Sequence, residues 1–175
     1  MIDECIFCKI IEQQLTKDEE IIFETENCIV LLDKYRVTSA GPICLVITKK
    51  HFTNIFSTPD DTLKEVILTI KRTAEAINES LCPKGIRIWQ ANGKSAGQSI
   101  FHLHFHIVPT NSMWDRLIFL FPGIVDLVTR VGLKPNKKDN LTKQANKLRE
   151  VISNPNAAAH NKVYDVMVGA HGKSK

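Results

Sequence analysis

Residues 20–25 (EIIFET) and 28–33 (CIVLLD) are two β-rich runs separated by Glu26-Asn27, a pattern that predicts a hairpin. Residues 43–48 (ICLVIT) predict a third strand, apolar enough to be central in a sheet. Between them, residues 34–42 contain Ser39, Gly41 and Pro42 and read as a loop. Pro59-Asp60-Asp61-Thr62 then open a helix, with acidic groups where the helix dipole favours them. Leu63, Val66, Ile67, Ile70, Ala74, Ile77 and Leu81 follow three or four apart, so one face packs on a core, and Pro83-Lys84-Gly85 end the helix. Residues 86–91 (IRIWQA) alternate as a fourth strand. A polar, glycine-containing loop covers residues 92–99, and a fifth strand spans 101–108 until Pro109 closes it. Residues 6–13 predict a short helix, 115–131 helical pieces around Pro122-Gly123, and 141–153 an amphipathic helix. No internal repeat or low-complexity segment interrupts this order. Strands joined by short turns, with one long helix, predict an antiparallel α+β domain over residues 1–112. A C-terminal helical extension over 113–153, packed on the domain or on a dimer partner, and a loosely ordered tail over 154–175 are expected to follow.

Composition narrows the function. The 175 residues suit one domain with a sizeable core plus an extension, and 43% apolar with 24% charged residues is ordinary for a soluble globular protein. A formal net charge of +4 suits a small anionic ligand but is too mild, and too scattered, to imply nucleic acid. Lys134, Lys137 and Lys138 read as a solvated loop. The most apolar stretch, 117–133, is broken by Pro122, Gly123, Asp126, Arg130 and Gly132, so no membrane span is expected. The N-terminal residues carry no basic and no apolar leader pattern, and the cysteine count of five is odd. Reduced thiols and a cytoplasmic location are the expectation. Cys28, Cys44 and Cys82 stand among apolar residues and read as small core residues.

The chemistry concentrates in F-H-L-H-F-H-I-V, residues 101–108, which holds three of the chain's six histidines. On a strand, alternation puts His102, His104 and His106 on one face and Leu103, Phe105 and Ile107 on the other. The apolar face explains itself as core. The imidazoles could be a solvent-facing edge, although Thr, Ser, Lys or Glu would serve equally well there. They could instead be a three-histidine metal site. A third reading divides the labour: one histidine binds metal, one attacks phosphorus and one handles a proton, tasks that suit a side chain titrating near neutral pH. Just upstream, Gly97-Gln98-Ser99 offers backbone N–H groups, an amide and a hydroxyl to phosphate oxygens, and Gly93 and Gly97 let the backbone approach closely.

Cys5 and Cys8 form a C-x-x-C pair that could share one zinc, act as a redox pair or be two buried thiols. A redox pair usually follows a strand, and none precedes this one. A structural zinc would need two more ligands, which His51 and His102 could supply.

These segments together resemble the histidine triad family. H-L-H-F-H-I-V (102–108) is similar to its signature, A-G-Q-S (96–99) to its phosphate loop, and C-I-F-C-K-I-I (5–11) and L-V-I-T-K-K-H (45–51) to parts of its zinc-binding bacterial members. The four motifs span residues 5–110, and none matches residues 111–175. The resemblance implies an antiparallel five-stranded sheet with helices, paired into a homodimer. It implies that His104 attacks the α-phosphorus of a purine nucleotide to form a covalent nucleotidyl-histidine, with His106 assisting proton transfer. Gln98 and Ser99 would hold phosphate oxygens, Asp33 the ribose with Asn92 nearby, and Phe7, Ile10 and Leu31 would flank the base. Cys5, Cys8, His51 and His102 would be ligands of a structural Zn2+. Ile43 and Thr48 stand where many relatives carry histidine and proline, and Thr110 follows Pro109 where bacterial members often carry arginine. Those departures bear on substrate choice more than on chemistry. The leading expectation is a hydrolase or transferase acting on nucleoside phosphoramidates or dinucleoside polyphosphates. A nucleotide-binding regulatory module is the alternative. A nucleic-acid end-processing factor would usually bring a basic or zinc-finger extension, which residues 111–175 lack.

Overall fold

The hairpin of the sequence reading is present in the structure, a computed structural model that describes residues 5–12, 20–33, 38–112, 115 and 138–154. Strand β1 (Ile21–Glu24) pairs antiparallel with β2 (Cys28–Leu32). The turn between them is clamped by Glu65, whose carboxylate accepts from the Asn27 backbone N–H at 3.0 Å and from the side chains of Asn27 and Thr25, both at 2.5 Å. Strand β3 (Cys44–Thr48) continues the sheet, and β4 (Gly85–Trp89) and β5 (His104–Thr110) complete it in the order β1-β2-β3-β5-β4, all neighbours antiparallel. Every residue of β2 and β3 is buried, which fits their uninterrupted apolar character: both faces of the sheet are covered.

One face carries helix α2 (Asp60–Leu81) and helix α3 (Lys138–Ser153). Val66, Ile70, Ala76 and Ile77 of α2 and Ala145, Leu148 and Ile152 of α3 pack there with Val30, Val46, Leu103, Phe105 and Ile107. Arg149 of α3 donates from its Nε and Nη2 to the Ile21 carbonyl, and Arg72 of α2 donates to the Ile152 carbonyl. The other face receives helix α1 (Ile6–Ile11), with Phe7 against Ile29, Leu31, Ile43, Leu45, Ile47 and Val108. The three histidines stand on this second face.

Several sequence readings are corrected. Ile67 is 57% exposed, because the buried stripe of α2 runs through Val66, Thr69, Ile70, Thr73, Ala76 and Ile77, and Ile67 lies one residue, about 100°, around the axis. Thr73 can be buried because its hydroxyl donates to the Thr69 carbonyl at 2.8 Å. Cys82 is an exposed helix terminator rather than a core residue. It is the only non-glycine with positive φ among the described residues (φ 47°), and its N–H satisfies the Asn78 carbonyl. Lys138 opens α3 instead of lying in a loop, and α1 ends at Ile11. Strand β5 starts at His104, not at residue 101. The Leu103 N–H turns away to the Phe52 carbonyl at 2.6 Å, outside the β3 ladder. The strand also runs through Pro109, opposite Ile86 of β4. A proline fits there because pairing with β3 ends at Ile107, so the missing N–H breaks no ladder on that side. The expected helical pieces over 115–131, apart from Asp115, and the expected tail over 155–175 lie outside the described residues.

Candidate active site and metal centre

His104 and His106 are positioned by register: on β5, His104 lies opposite Ile47 and His106 opposite Leu45 of β3, while Trp89 of β4 lies opposite His106. The His104 Nδ1 lies 2.6 Å from the His102 carbonyl, an acceptor, so Nδ1 carries the proton and donates it. That tautomer leaves the Nε2 lone pair for attack. Burial pushes the His104 pKa down, and the carbonyl bond only partly offsets it, so the ring is neutral at neutral pH, the state a nucleophile requires. Burial, and then the charge of His104, push His106 further, to about 3. The two rings meet edge to face at 5.1 Å between centroids. Phe7 backs His104 at 4.9 Å, and Trp89 lies flat on His106 at 4.2 Å with 5° between the planes.

The loop before β5 is a one-turn 3-10 helix, Lys94–Ala96, bracketed by Gly93 (φ 89°) and Gly97 (φ 88°). A Cβ at either glycine would meet nothing within 4 Å, so it is the left-handed backbone and not a close approach that requires glycine. Gln98 is buried and its amide is fully occupied. Its oxygen accepts from the Gly93 N–H at 2.7 Å, and its nitrogen donates to the carbonyls of Thr53 at 2.6 Å and Ile100 at 3.1 Å. These bonds hold the loop together, and both N–H groups of the Gln98 amide are engaged within it. Asn92 is similarly engaged, accepting from the Ile55 N–H at 2.9 Å and bonded to the Gln90 amide. Ser99 is exposed beside the histidine strand. Asp33 follows β2, with its N–H on the Ile43 carbonyl at 2.8 Å, at the next position after Leu31 on the histidine face. Phe7 (4% exposed) and Leu31 (5%) are core residues, whereas Ile10 keeps part of its surface open.

The second constellation abuts the first. Cys5, Cys8, His51 and His102 bring one ligand atom each within 4.8 Å of one another. His102 is fully buried, and its Nε2 donates to the Thr48 carbonyl at 2.6 Å, which turns the Nδ1 lone pair toward the thiols. From that Nδ1, the Cys5 Sγ is 3.4 Å and the Cys8 Sγ 3.6 Å, and the Cys8 Sγ is 3.3 Å from the His51 Nδ1. A tetrahedral ion with the usual metal–sulfur and metal–nitrogen bonds would separate its sulfur and nitrogen ligands by about 3.6 Å. The four residues therefore fit a four-coordinate metal ion. Burial, then the hydrogen bond and charge of Cys5, push the Cys8 thiol up to about 11, so a metal must displace a proton to bind it.

Trp89 is the site residue that the sequence did not reveal. Alternation along β4 gives its face, but its contact with His106 depends on the β4–β5 register, which no local pattern encodes. Its indole Nε1–H is buried with no hydrogen-bond partner, a state that costs about 1–3 kcal/mol. Among the described residues, no helix is long and apolar enough to cross a membrane.

Known proteins are similar to this chain in sequence and fold. Residues 14–113 match the HIT domain family. The chain is 36% identical over 113 residues to Protein hit of Bacillus subtilis, covering 65% of this chain and 75% of that one. It is 31% identical over 147 residues to the adenosine 5'-monophosphoramidase HNT1 of Candida albicans, covering 81% of this chain and 94% of the relative. The crystal structure of a Zn-bound histidine triad family protein from Mycobacterium smegmatis superposes with a TM-score of 0.69 at 26% identity, over 90% of this chain and 99% of that one. The five-stranded antiparallel sheet, the three histidines on one of its faces and the match across more than half of the chain agree: the chain belongs to the HIT domain family.

Proposed function

We propose that this protein is a nucleotide hydrolase or transferase acting at the α-phosphorus of nucleoside phosphoramidates or dinucleoside polyphosphates, through a covalent intermediate on His104. The observation that carries this reading is the His104 tautomer: Nδ1–H is held by the His102 carbonyl, and the neutral ring presents Nε2 beside His106 and the loop that Gln98 fixes. In the first half-reaction, Nε2 bonds to phosphorus as the phosphorus–nitrogen or phosphorus–oxygen bond to the leaving group breaks. The departing atom keeps the electron pair and takes a proton from His106. Burial keeps His106 neutral in the free protein, and the anionic phosphate beside it favours the protonated ring once substrate is bound. In the second half, water attacks phosphorus, the bond to His104 breaks, and the proton released by water returns to His106. The similarity to a protein named as an adenosine monophosphoramidase supports a purine nucleotide as substrate. Ser99 is proposed to contact phosphate, Asp33 the ribose, and Ile10, with the buried Phe7 and Leu31 behind it, the base.

The metal we assign to Cys5, Cys8, His51 and His102 is Zn2+, by the chemistry of the donor set and the similarity to a zinc-bound relative. When bound, it ties the start of α1 to the strand that carries His104 and takes no part in the chemical steps. A homodimer is proposed across the free edge of β4, where Ile88 is 48% exposed, with the Ile67 and Leu68 side of α2 also uncovered.

The test is turnover of adenosine phosphoramidate and of diadenosine polyphosphates by the native chain and by His104→Ala. The expected result is release of adenosine monophosphate by the native chain alone, with the variant slower by roughly a thousandfold or more. Nucleotide binding without turnover would replace this reading with that of a regulatory module.

A further inference from the structure

Trp89 takes no part in the two half-reactions, yet it touches one of the groups that does. It is the direct cross-strand partner of His106, and the pair is stacked at 4.2 Å with 5° between the planes. The groups around the imidazole are few: His104 meets it edge to face at 5.1 Å, Leu45 stands across from it on β3, and Trp89 covers it from β4. No carboxylate fixes His106 by a hydrogen bond among those described, so the plane of its ring is set by packing. An indole is an unexpected choice if filling space were the only need. Leucine or phenylalanine would cover the same apolar surface without stranding a buried Nε1–H, which has no partner here. What the indole adds is a large electron-rich face, the one aromatic surface best suited to lie against an imidazolium.

We propose that Trp89 is a positioning residue for His106. Its indole face fixes the plane of the imidazole and favours the protonated ring from which the leaving group takes its proton. This rests on the proton-donor role given to His106 above. Fixing the plane aims the ring N–H at the departing nitrogen or oxygen, and the face stabilises the charged form that burial otherwise opposes. Trp89 itself exchanges no proton and forms no bond.

The experiment compares two substrates that differ in their need for a proton. An adenosine 5'-N-alkyl phosphoramidate expels an amine only when that amine is protonated, whereas the p-nitrophenyl ester of adenosine monophosphate expels a stable anion. With Trp89→Leu, kcat on the phosphoramidate should fall by roughly ten- to a hundredfold, as partial loss of general-acid catalysis does. On the nitrophenyl ester it should change by less than about threefold. Trp89→Phe, which keeps a stacking ring with a smaller and less electron-rich face, should recover part of the phosphoramidate rate and stay above Trp89→Leu and below the native chain. An equal loss on both substrates, or no loss on either, overturns the proposal. If the native chain cleaves neither substrate, the reaction itself is wrong, a result read before any variant is compared. Should Trp89→Leu fail to fold, the contact is still testable. Trp114 is the only other tryptophan, so in a Trp114→Phe background His106→Ala should alter the Trp89 fluorescence. Unchanged emission would overturn the stack.

Discussion

His106 pairs two opposing influences, burial that strips its charge and the proton-donor role proposed for it, which needs that charge. Its pKa, pushed to about 3 by burial and then by His104, lies below the 6.5 of an exposed histidine. The unfolded chain therefore takes up a proton near pH 6.5 that the folded chain refuses. The stabilisation from a neutral His106 is complete above that pH and is lost as pH falls from about 6.5 toward 3. The urea midpoint should accordingly fall between pH 7 and 5.5, a window above the ordinary carboxylates in which His102 and His104 act in the same direction, and His106→Asn should make that slope shallower. Parallel slopes for the two proteins would contradict the burial of this imidazole. At this scale much was legible in the sequence. The three histidines and the C-x-x-C pair announce themselves by residue type and spacing, because alternation along a strand does not depend on the rest of the fold. The loop that holds Gln98 was legible too, but the bonds by which Gln98 braces it were not. Its amide bonds to Gly93, Thr53 and Ile100 depend on a path through space that spacing does not encode.

Among the elements, the loop of residues 92–99 takes its shape from two glycines at positive φ and the bonds of one glutamine. Gly97→Ala would force an alanine to φ 88°, and since nothing crowds the added Cβ, the cost is backbone strain alone, about 1–2 kcal/mol by chemical denaturation. Gln98→Ala removes the partner of the Gly93 N–H and the Thr53 carbonyl, while the Ile100 carbonyl keeps the His102 N–H; it should cost about 1–3 kcal/mol, with a loss of turnover that Gln98→Glu does not restore, since a carboxylate cannot donate to Thr53 or Ile100. Retained activity in Gln98→Ala would contradict the loop-fixing role. The five strands and α2 were readable from periodicity, but their ends were not. Strand β5 begins late because the Leu103 N–H finds Phe52, and it passes Pro109 because β3 has already ended. Ile67 was grouped with the core face because a count of three or four tolerates a neighbour that the actual stripe leaves outside.

Across the whole molecule, the candidate metal centre and the histidines proposed to react are joined through His102. His102 presents Nδ1 to the thiols, and its carbonyl holds the proton of His104, so a loose metal site would loosen the proposed nucleophile. Chelation, or Cys8→Ser, should remove the metal and lower the melting temperature. A ligand at a hundredfold its dissociation constant contributes ~2.7 kcal/mol, about 5–11 °C for a chain of this size. Metal analysis showing a full complement in Cys8→Ser would contradict the ligand set. Light scattering should report a dimer for the native chain and a monomer for a variant with Ile88→Lys and Leu68→Glu, and an unchanged mass would exclude the β4 edge as the interface. The sequence offered the four candidate ligands in three separate segments, the Cys5-Cys8 pair, His51 and His102, and the fold brings the N-terminal helix onto the end of β3 and the start of β5.

The central claim is that His104 becomes covalently nucleotidylated, and the most direct measurement is intact-protein mass spectrometry after rapid quenching of the native chain with adenosine phosphoramidate. The account predicts a species heavier by one adenylyl group, mapped to the peptide containing His104 and absent from His104→Ala. Turnover without any such adduct, at every quench time, or an adduct that persists in His104→Ala, would contradict it.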